Sequence, residues 1–220
     1  MIYIINKMGC CSNYMVNLIK NSNPEDALKD TFIIKQITLG ISNLESKIAK
    51  IAKKEEAVHT AFFISNLGNE SFGDEGIILE YGKYESKNNG NGLMKYEYDD
   101  GGMRYGWCKL TDFQNSLATA VCINLDLEPP LIIFRDLIER LKEKKENNKY
   151  NQNNRNWDLK DFSTIYHNCQ HFAAKVIEIL KAKCNDKYIE IRNNELLKNG
   201  KKIDIIPKII REALLNNNNN

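Results

Sequence analysis

A chain of 220 residues with 42% hydrophobic content can bury one core, so a single domain with appendages is expected rather than two domains. Basic and acidic residues nearly balance, 31 against 29 for a formal net charge of +2, and no basic stretch is interleaved with aromatics. That argues against nucleic-acid binding by bulk electrostatics. No apolar run approaches the roughly 18 residues a membrane helix needs, and Met1 to Ile5 is too short for a signal-peptide core. The chain is therefore expected to be soluble and cytoplasmic, with the nucleus open to it as well.

From the N-terminus, Met8-Gly9-Cys10-Cys11-Ser12 resembles a lipidation start. It would require translation to begin at Met8, and the serine falls one place early for the usual pattern. Residues 1–30 are expected to form an extension carrying a short helix over Pro24 to Asp30, capped by Asn23. Residues 31–215 are expected to form the domain. Thr31 to Leu39 is β-rich and reads as a strand. Ser42 to Glu56 reads as a helix, with Leu44, Ile48, Ile51 and Ala52 at helical spacing, Ser42 as cap and Glu45 three residues on.

Val58 to Ser65 and Gly76 to Tyr81 are aromatic and β-branched runs joined by a Gly- and Asn-rich loop, an expected antiparallel pair. Leu93 to Tyr98 and Met103 to Leu110 flank the turn Asp99-Asp100-Gly101-Gly102 and suggest a second hairpin. A further strand is expected over Ala118 to Leu125. Pro130 to Lys145 reads as an amphipathic helix begun by proline. The Lys142-Glu143-Lys144-Lys145-Glu146 run carries both signs and reads as its solvated end. An Asn-rich insert spans 147–156, and 216–220 is an Asn tail expected to be disordered. Between them lie a strong helix over Cys169 to Lys183 and a last helix over Ile203 to Leu215. Strands in the middle and helices at either end make an α+β domain, an antiparallel sheet packed on the helix that starts at Cys169.

The six cysteines, at 10, 11, 108, 122, 169 and 184, are scattered and form no Cys-x-x-Cys pair. With three histidines in the chain, neither a disulfide framework nor a structural zinc site is expected. Cys169 stands apart. It follows Asn168, a good cap, and opens a helix on the face that carries Phe172 and Ala173. A thiol there feels the positive end of the helix dipole, which favours thiolate. Equally, a free cysteine at such a place serves as a small buried hydrophobe. His59 heads the strand that continues Ala61-Phe62-Phe63-Ile64. A strand histidine is ordinarily structural, but this one lies on the sheet against which the Cys169 helix must pack, as a thiol–imidazole dyad requires. His171 points roughly 200° around the helix from Cys169 and is expected to bond backbone at the helix start. His167, ahead of the cap, is expected on the surface. Tyr105-Gly106-Trp107-Cys108 reads as hairpin packing and Trp157 as a core anchor.

Ala57-Val58-His59-Thr60-Ala61, Leu79-Glu80-Tyr81-Gly82 and Asn168-Cys169-Gln170-His171-Phe172 together resemble the circularly permuted papain-like (NlpC-type) cysteine hydrolases. These include the PPPDE peptidases (the desumoylating isopeptidases) and, more distantly, the lecithin:retinol acyltransferase family. Their signature is a strand histidine first and an Asn-Cys-x-His-Phe helix start second, the reverse of papain's order. The resemblance spans about residues 57–183. It implies Cys169 as nucleophile, His59 as base, and Glu80 at the position where a polar group orients His59. Glu80 reads equally well as a surface residue in alternation with its neighbours. The implied function is hydrolysis of an amide or isopeptide bond in a protein substrate, with ubiquitin-like conjugates as candidates and no cofactor or metal. The alternatives are a thiol acyltransferase or phospholipase and a non-catalytic binding module. The second strand carries no second histidine and no C-terminal anchor is seen, which disfavours lipid chemistry.

Overall fold

In the computed structural model, the described residues are 22–43, 58–66, 74–82, 102–116, 121–143, 157, 167–184, 189–192, 195–198, 201–202 and 206–218. Residues 44–56 of the helix expected over Ser42 to Glu56, the strand expected over 93–98 and the Asn-rich insert 147–156 lie outside them.

Strand formation follows the aromatic and β-branched runs. Strands β1 (Gln36–Asn43), β2 (Val58–Ser65), β3 (Glu75–Tyr81), β4 (Met103–Lys109), β5 (Val121–Asp126) and β6 (Lys183–Cys184) form one sheet in the order β4-β3-β2-β1-β5-β6. Each neighbouring pair is antiparallel. A small second sheet is built from β7 (Ile189–Arg192), β8 (Glu195–Lys198) and β9 (Lys201–Lys202). Helices α1 (Leu110–Ser116), α2 (Phe134–Lys142), α3 (Cys169–Leu180) and α4 (Lys208–Asn218) complete an α+β architecture.

The strands are apolar on both faces because both faces are covered. Val58, Phe62 and Ile64 of β2, with Ile77, Leu79 and Tyr81 of β3, join the main core with α3, whose Phe172, Ala173, Val176 and Ile177 are buried. Helices α2 and α4 pack on α3 from behind. Alternate residues point the other way: Ala61, Phe63, Ile78 and Cys108 form a second cluster closed by Phe113 of α1. The central strands therefore read as near-continuous apolar runs, and their few polar residues face inward. Where β3 meets β2 the backbones leave no room for a side chain. A Cβ on Gly76 would lie 2.5 Å from Phe63 Cζ and 2.6 Å from the main-chain oxygen of Ile64. Because the second obstacle is backbone, Gly76→Ala is expected to cost about 1–3 kcal/mol, read as a lower urea midpoint with unchanged slope.

Several expectations are corrected. Ser42 is no helix cap: it lies in β1, opposite His59, because β1 stays paired with β2 through Asn43. At its start β1 is shorter than expected. Residues 32–34 pair instead with the segment ahead of α2, through Ile34 N–H to Ile132 O (2.9 Å) and Phe134 N–H to Phe32 O (3.0 Å). That pairing keeps residues 131–133 out of α2, which begins at Phe134 and not at Pro130. Leu110 starts α1 and does not end a strand. Among the described residues β4 pairs with β3, and the hairpin expected with residues 93–98 lies outside them. Ahead of residue 30, the 3-10 turn Pro24–Leu28 puts Ala27 in the core, and Trp107 Nε1 donates to Asn23 O at 2.9 Å. At the other end, residues of the Asn tail take part in a helix. Helix α4 runs to Asn218, and the Asn217 amide donates to Ile177 O (3.1 Å) and Ala182 O (3.2 Å), tying down the end of α3.

Candidate active site

The site is built where α3 begins. Asn168 has extended backbone, and its side-chain oxygen accepts from the amides of Gln170 (3.0 Å) and His171 (3.4 Å), satisfying donors the first helical turn leaves open. This fixes Cys169 as the first helical residue, its thiol directed at β2. The register of β2 with β3 begins at Ala61 opposite Glu80, so residues 58–60 lie beyond the paired stretch of β3. The Cys169 sulfur sits there, 3.6 Å from Val58 O, and the Thr60 hydroxyl donates to Cys169 O at 2.7 Å. Thr60 thus pins the helix start by its side chain, and the residue before it, His59, acts on the thiol.

His59 points to the sheet face of Ala61 and Phe63, where polar groups form a row across three strands. Ala61, Glu80 and Arg104 are register partners on β2, β3 and β4. His59 Nε2 lies 2.9 Å from Glu80 Oε2. Glu80 Oε1 accepts from Arg104 twice, from Nε at 2.8 Å and Nη2 at 2.7 Å. With Nε2 engaged by Glu80, Nδ1 is the ring nitrogen that can serve the sulfur. His59 and Glu80 are 0% exposed and Cys169 1%.

Burial and charge oppose each other here. Burial pushes the Glu80 carboxyl up, but the Arg104 guanidinium and His59 overcome it and hold the group at about 2. Burial likewise raises the Cys169 thiol, and hydrogen bonding to His59, the charge of its imidazolium and the Thr60 contacts outweigh it, so the thiol lies below its ordinary value. Cys108 shows the contrast. Buried on the same face, it is raised well above the ordinary thiol range by burial and by the nearby Glu80 charge, with no imidazole to reverse the effect.

No protein-family model, no curated protein and no solved structure matches this chain.

Cys169, His59 and Glu80, picked out separately in the sequence, are thus one hydrogen-bonded set. Glu80 is buried, not a surface residue of an alternating strand. Alternation marks a solvated face only when one exists, and this sheet has none at β3. Arg104 went unnoticed. Its signal was an arginine within the run Met103 to Cys108, which carries no other charge, matching a glutamate in the preceding strand, since charges fully inside a fold are ordinarily paired.

His167 is buried, not on the surface: Trp157 stacks on it with ring centroids 4.3 Å apart, and Tyr81 Oη lies 3.2 Å from its Nδ1. Trp157 also packs edge-on against Tyr81 and Phe172 and accepts a main-chain bond from Met103. Among the described residues the His171 ring is engaged by a side chain, its Nδ1 3.0 Å from Asn168 Oδ1, and burial lowers its pKa. Among the described residues no group of three or more His, Cys, Asp or Glu is disposed to hold a metal ion, and no helix is long and apolar enough to cross a membrane.

The arrangement has the parts for thiol chemistry: a sulfur at a helix N-terminus, an imidazole to take its proton, and a carboxylate to hold the imidazole. Cys169 is also buried, so in this arrangement a carbonyl does not reach the sulfur from solvent.

Proposed function

We propose that this chain is a cysteine hydrolase of the permuted papain-like type, cleaving an amide or isopeptide bond in a protein substrate in the cytoplasm, or in the cytoplasm and nucleus. The observation that carries this reading is the hydrogen-bonded His59–Glu80 pair beside a helix-start cysteine whose thiol is held below its ordinary value. Chain order supports it too, with the histidine strand ahead of the cysteine helix.

In the reaction His59 Nδ1 takes the thiol proton and the thiolate attacks the carbonyl carbon. The amides of Gln170 and His171 are committed to Asn168 Oδ1. The oxyanion donor the helix start supplies is therefore the Cys169 amide. His59 then gives its proton to the leaving amine, and a thioester remains. Water, deprotonated by the same imidazole, releases the acid and restores the thiol. Glu80 keeps the ring oriented and stabilises it when charged.

A ubiquitin-like protein bearing a C-terminal vinyl sulfone tests the substrate class. Covalent labelling at Cys169, lost in Cys169→Ser, is the expected outcome; a folded protein that stays unlabelled after prolonged incubation counts against that class. The 1% exposure of Cys169 favours a second reading, a binding module that keeps the fold and has closed its site. Under it, small alkylating reagents would also fail to reach Cys169 without denaturant.

A further inference from the structure

We propose that Arg104 is a positioning residue that sets the charge state of the site, by neutralising Glu80 so that a proton held on His59 must be matched by a thiolate on Cys169. The inference rests on the thiol–imidazole reading above and adds to it a residue on a third strand.

It follows from the charges that the described residues bring together at this site. Among the described residues, Glu80 from β3 and Cys169 from α3 act on His59, with Ser42 its register partner on β1. Arg104 of β4 reaches Glu80 from the far side, and Cys108 of β4 feels the same carboxylate, together with Asp112 of α1 and Asp74. Tyr81 and His167 pair on the opposite face of β3. Glu80 and His59 are wholly buried and Arg104 is 8% exposed, so solvent screens these charges little.

Consider the site without the guanidinium. A buried Glu80 carboxylate beside His59 is satisfied when His59 is an imidazolium and Cys169 a neutral thiol, because that set already sums to zero. Ionising the thiol would then add an uncompensated negative charge. With Arg104 present, Arg104 and Glu80 cancel, and an imidazolium is left with one unit of positive charge to be balanced. The thiolate is that balance. The proton transfer is internal: the S–H bond breaks, the N–H bond forms at His59, and net charge is unchanged. Glu80 alone therefore orients His59 but favours the wrong ionisation state for attack, and Arg104 corrects it.

Two features separate this from mere structural support. The Arg104 fork places Nε and Nη2 on Oε1, and Oε2 is left to His59, so one carboxylate serves both cations by different oxygens. And the effect depends on charge, so lysine should preserve it while a neutral isostere should not.

The test is the titration of Cys169 thiolate by ultraviolet absorbance in the full chain, each protein corrected by its Cys169→Ser counterpart. Arg104→Met is expected to raise the apparent thiolate pKa by about one unit or more. Arg104→Lys should stay near the wild type. The double variant Arg104→Met with Glu80→Gln, which removes both charges, should return below Arg104→Met alone, a non-additivity that general damage would not produce. A folded Arg104→Met with the wild-type titration overturns the inference. So does a double variant no lower than the single one; and should Arg104→Met fail to fold, a thiolate pKa raised by about one unit or more in Arg104→Lys or in the double variant overturns it, because neither leaves Glu80 as a lone buried charge. A wild-type Cys169 that ionises like an ordinary thiol instead defeats the underlying thiol–imidazole reading, which distinguishes the two failures.

Discussion

Replacing His59 by glutamine is expected to slow alkylation of Cys169 between about 10- and 100-fold at mildly acidic pH. An ordinary thiol ionises near 8.5, so about two units lower only roughly 1% is thiolate. Cys169 is held below its ordinary value chiefly by His59, against burial that acts the other way. Removing the imidazole leaves burial in command, and the thiol moves up. The lower intrinsic nucleophilicity of a low-pKa thiolate trims the gain, which sets the smaller end of the range. Glutamine is the right probe because its amide can still donate to Glu80 Oε2, so the row on β2, β3 and β4 keeps its hydrogen bonds. The pH dependence carries the same sign: wild-type reactivity should persist to lower pH, while His59→Gln should gain rate only as pH approaches the ordinary thiol range. Mass spectrometry of the Cys169 peptide after timed quenching measures both, and equal rates in the two proteins would remove His59 from the site.

Arg104→Met should cost about 3–5 kcal/mol of stability at neutral pH, the penalty for leaving one member of a buried ion pair unmatched. Glu80 is 0% exposed and accepts two bonds from the guanidinium. In the wild type, its pKa falls from an ordinary 4.5 to about 2 on folding. A folded value below the unfolded one means stability that is fully present above the unfolded pKa and is lost as pH falls through about 2. That linkage is worth about 3 kcal/mol, comparable with the cost of breaking the pair. Without Arg104 burial acts with less opposition, the carboxyl rises, and the acid limb of the stability curve moves to higher pH. Urea midpoints at neutral and acid pH test this. A loss under about 1 kcal/mol with an unmoved acid limb would mean that the pair behaves as a solvated one.

How much of this was legible in the sequence depends on what each residue's environment was competing with. Strand β2 matched its expected range because eight consecutive residues, all buried, suit no other element. The cap and start of α3 were equally plain, since Asn168 and the apolar stripe behind Cys169 specify them locally. Ser42 failed as a cap because sheet pairing with His59 supplied its backbone with partners that no local signal reveals. The start of α2 shifted from Pro130 to Phe134 for the same reason, through the long-range pairing at Ile34 and Phe32. Among the site residues, Cys169 and His59 were visible as types in suggestive places. Glu80 was ambiguous because alternation on one strand cannot say whether the other face is wet. Arg104 was invisible to any reading of one strand at a time, for its meaning lies in the register that sets it opposite Glu80.

The central claim is that Cys169 is an ionised thiol held by His59. The most direct measurement is the ultraviolet thiolate titration of the wild-type chain minus that of Cys169→Ser. The account predicts a Cys169 transition clearly below the ordinary value of about 8.5, with thiolate present at neutral pH. A Cys169 that ionises at or above that value, as the buried Cys108 should, would contradict it.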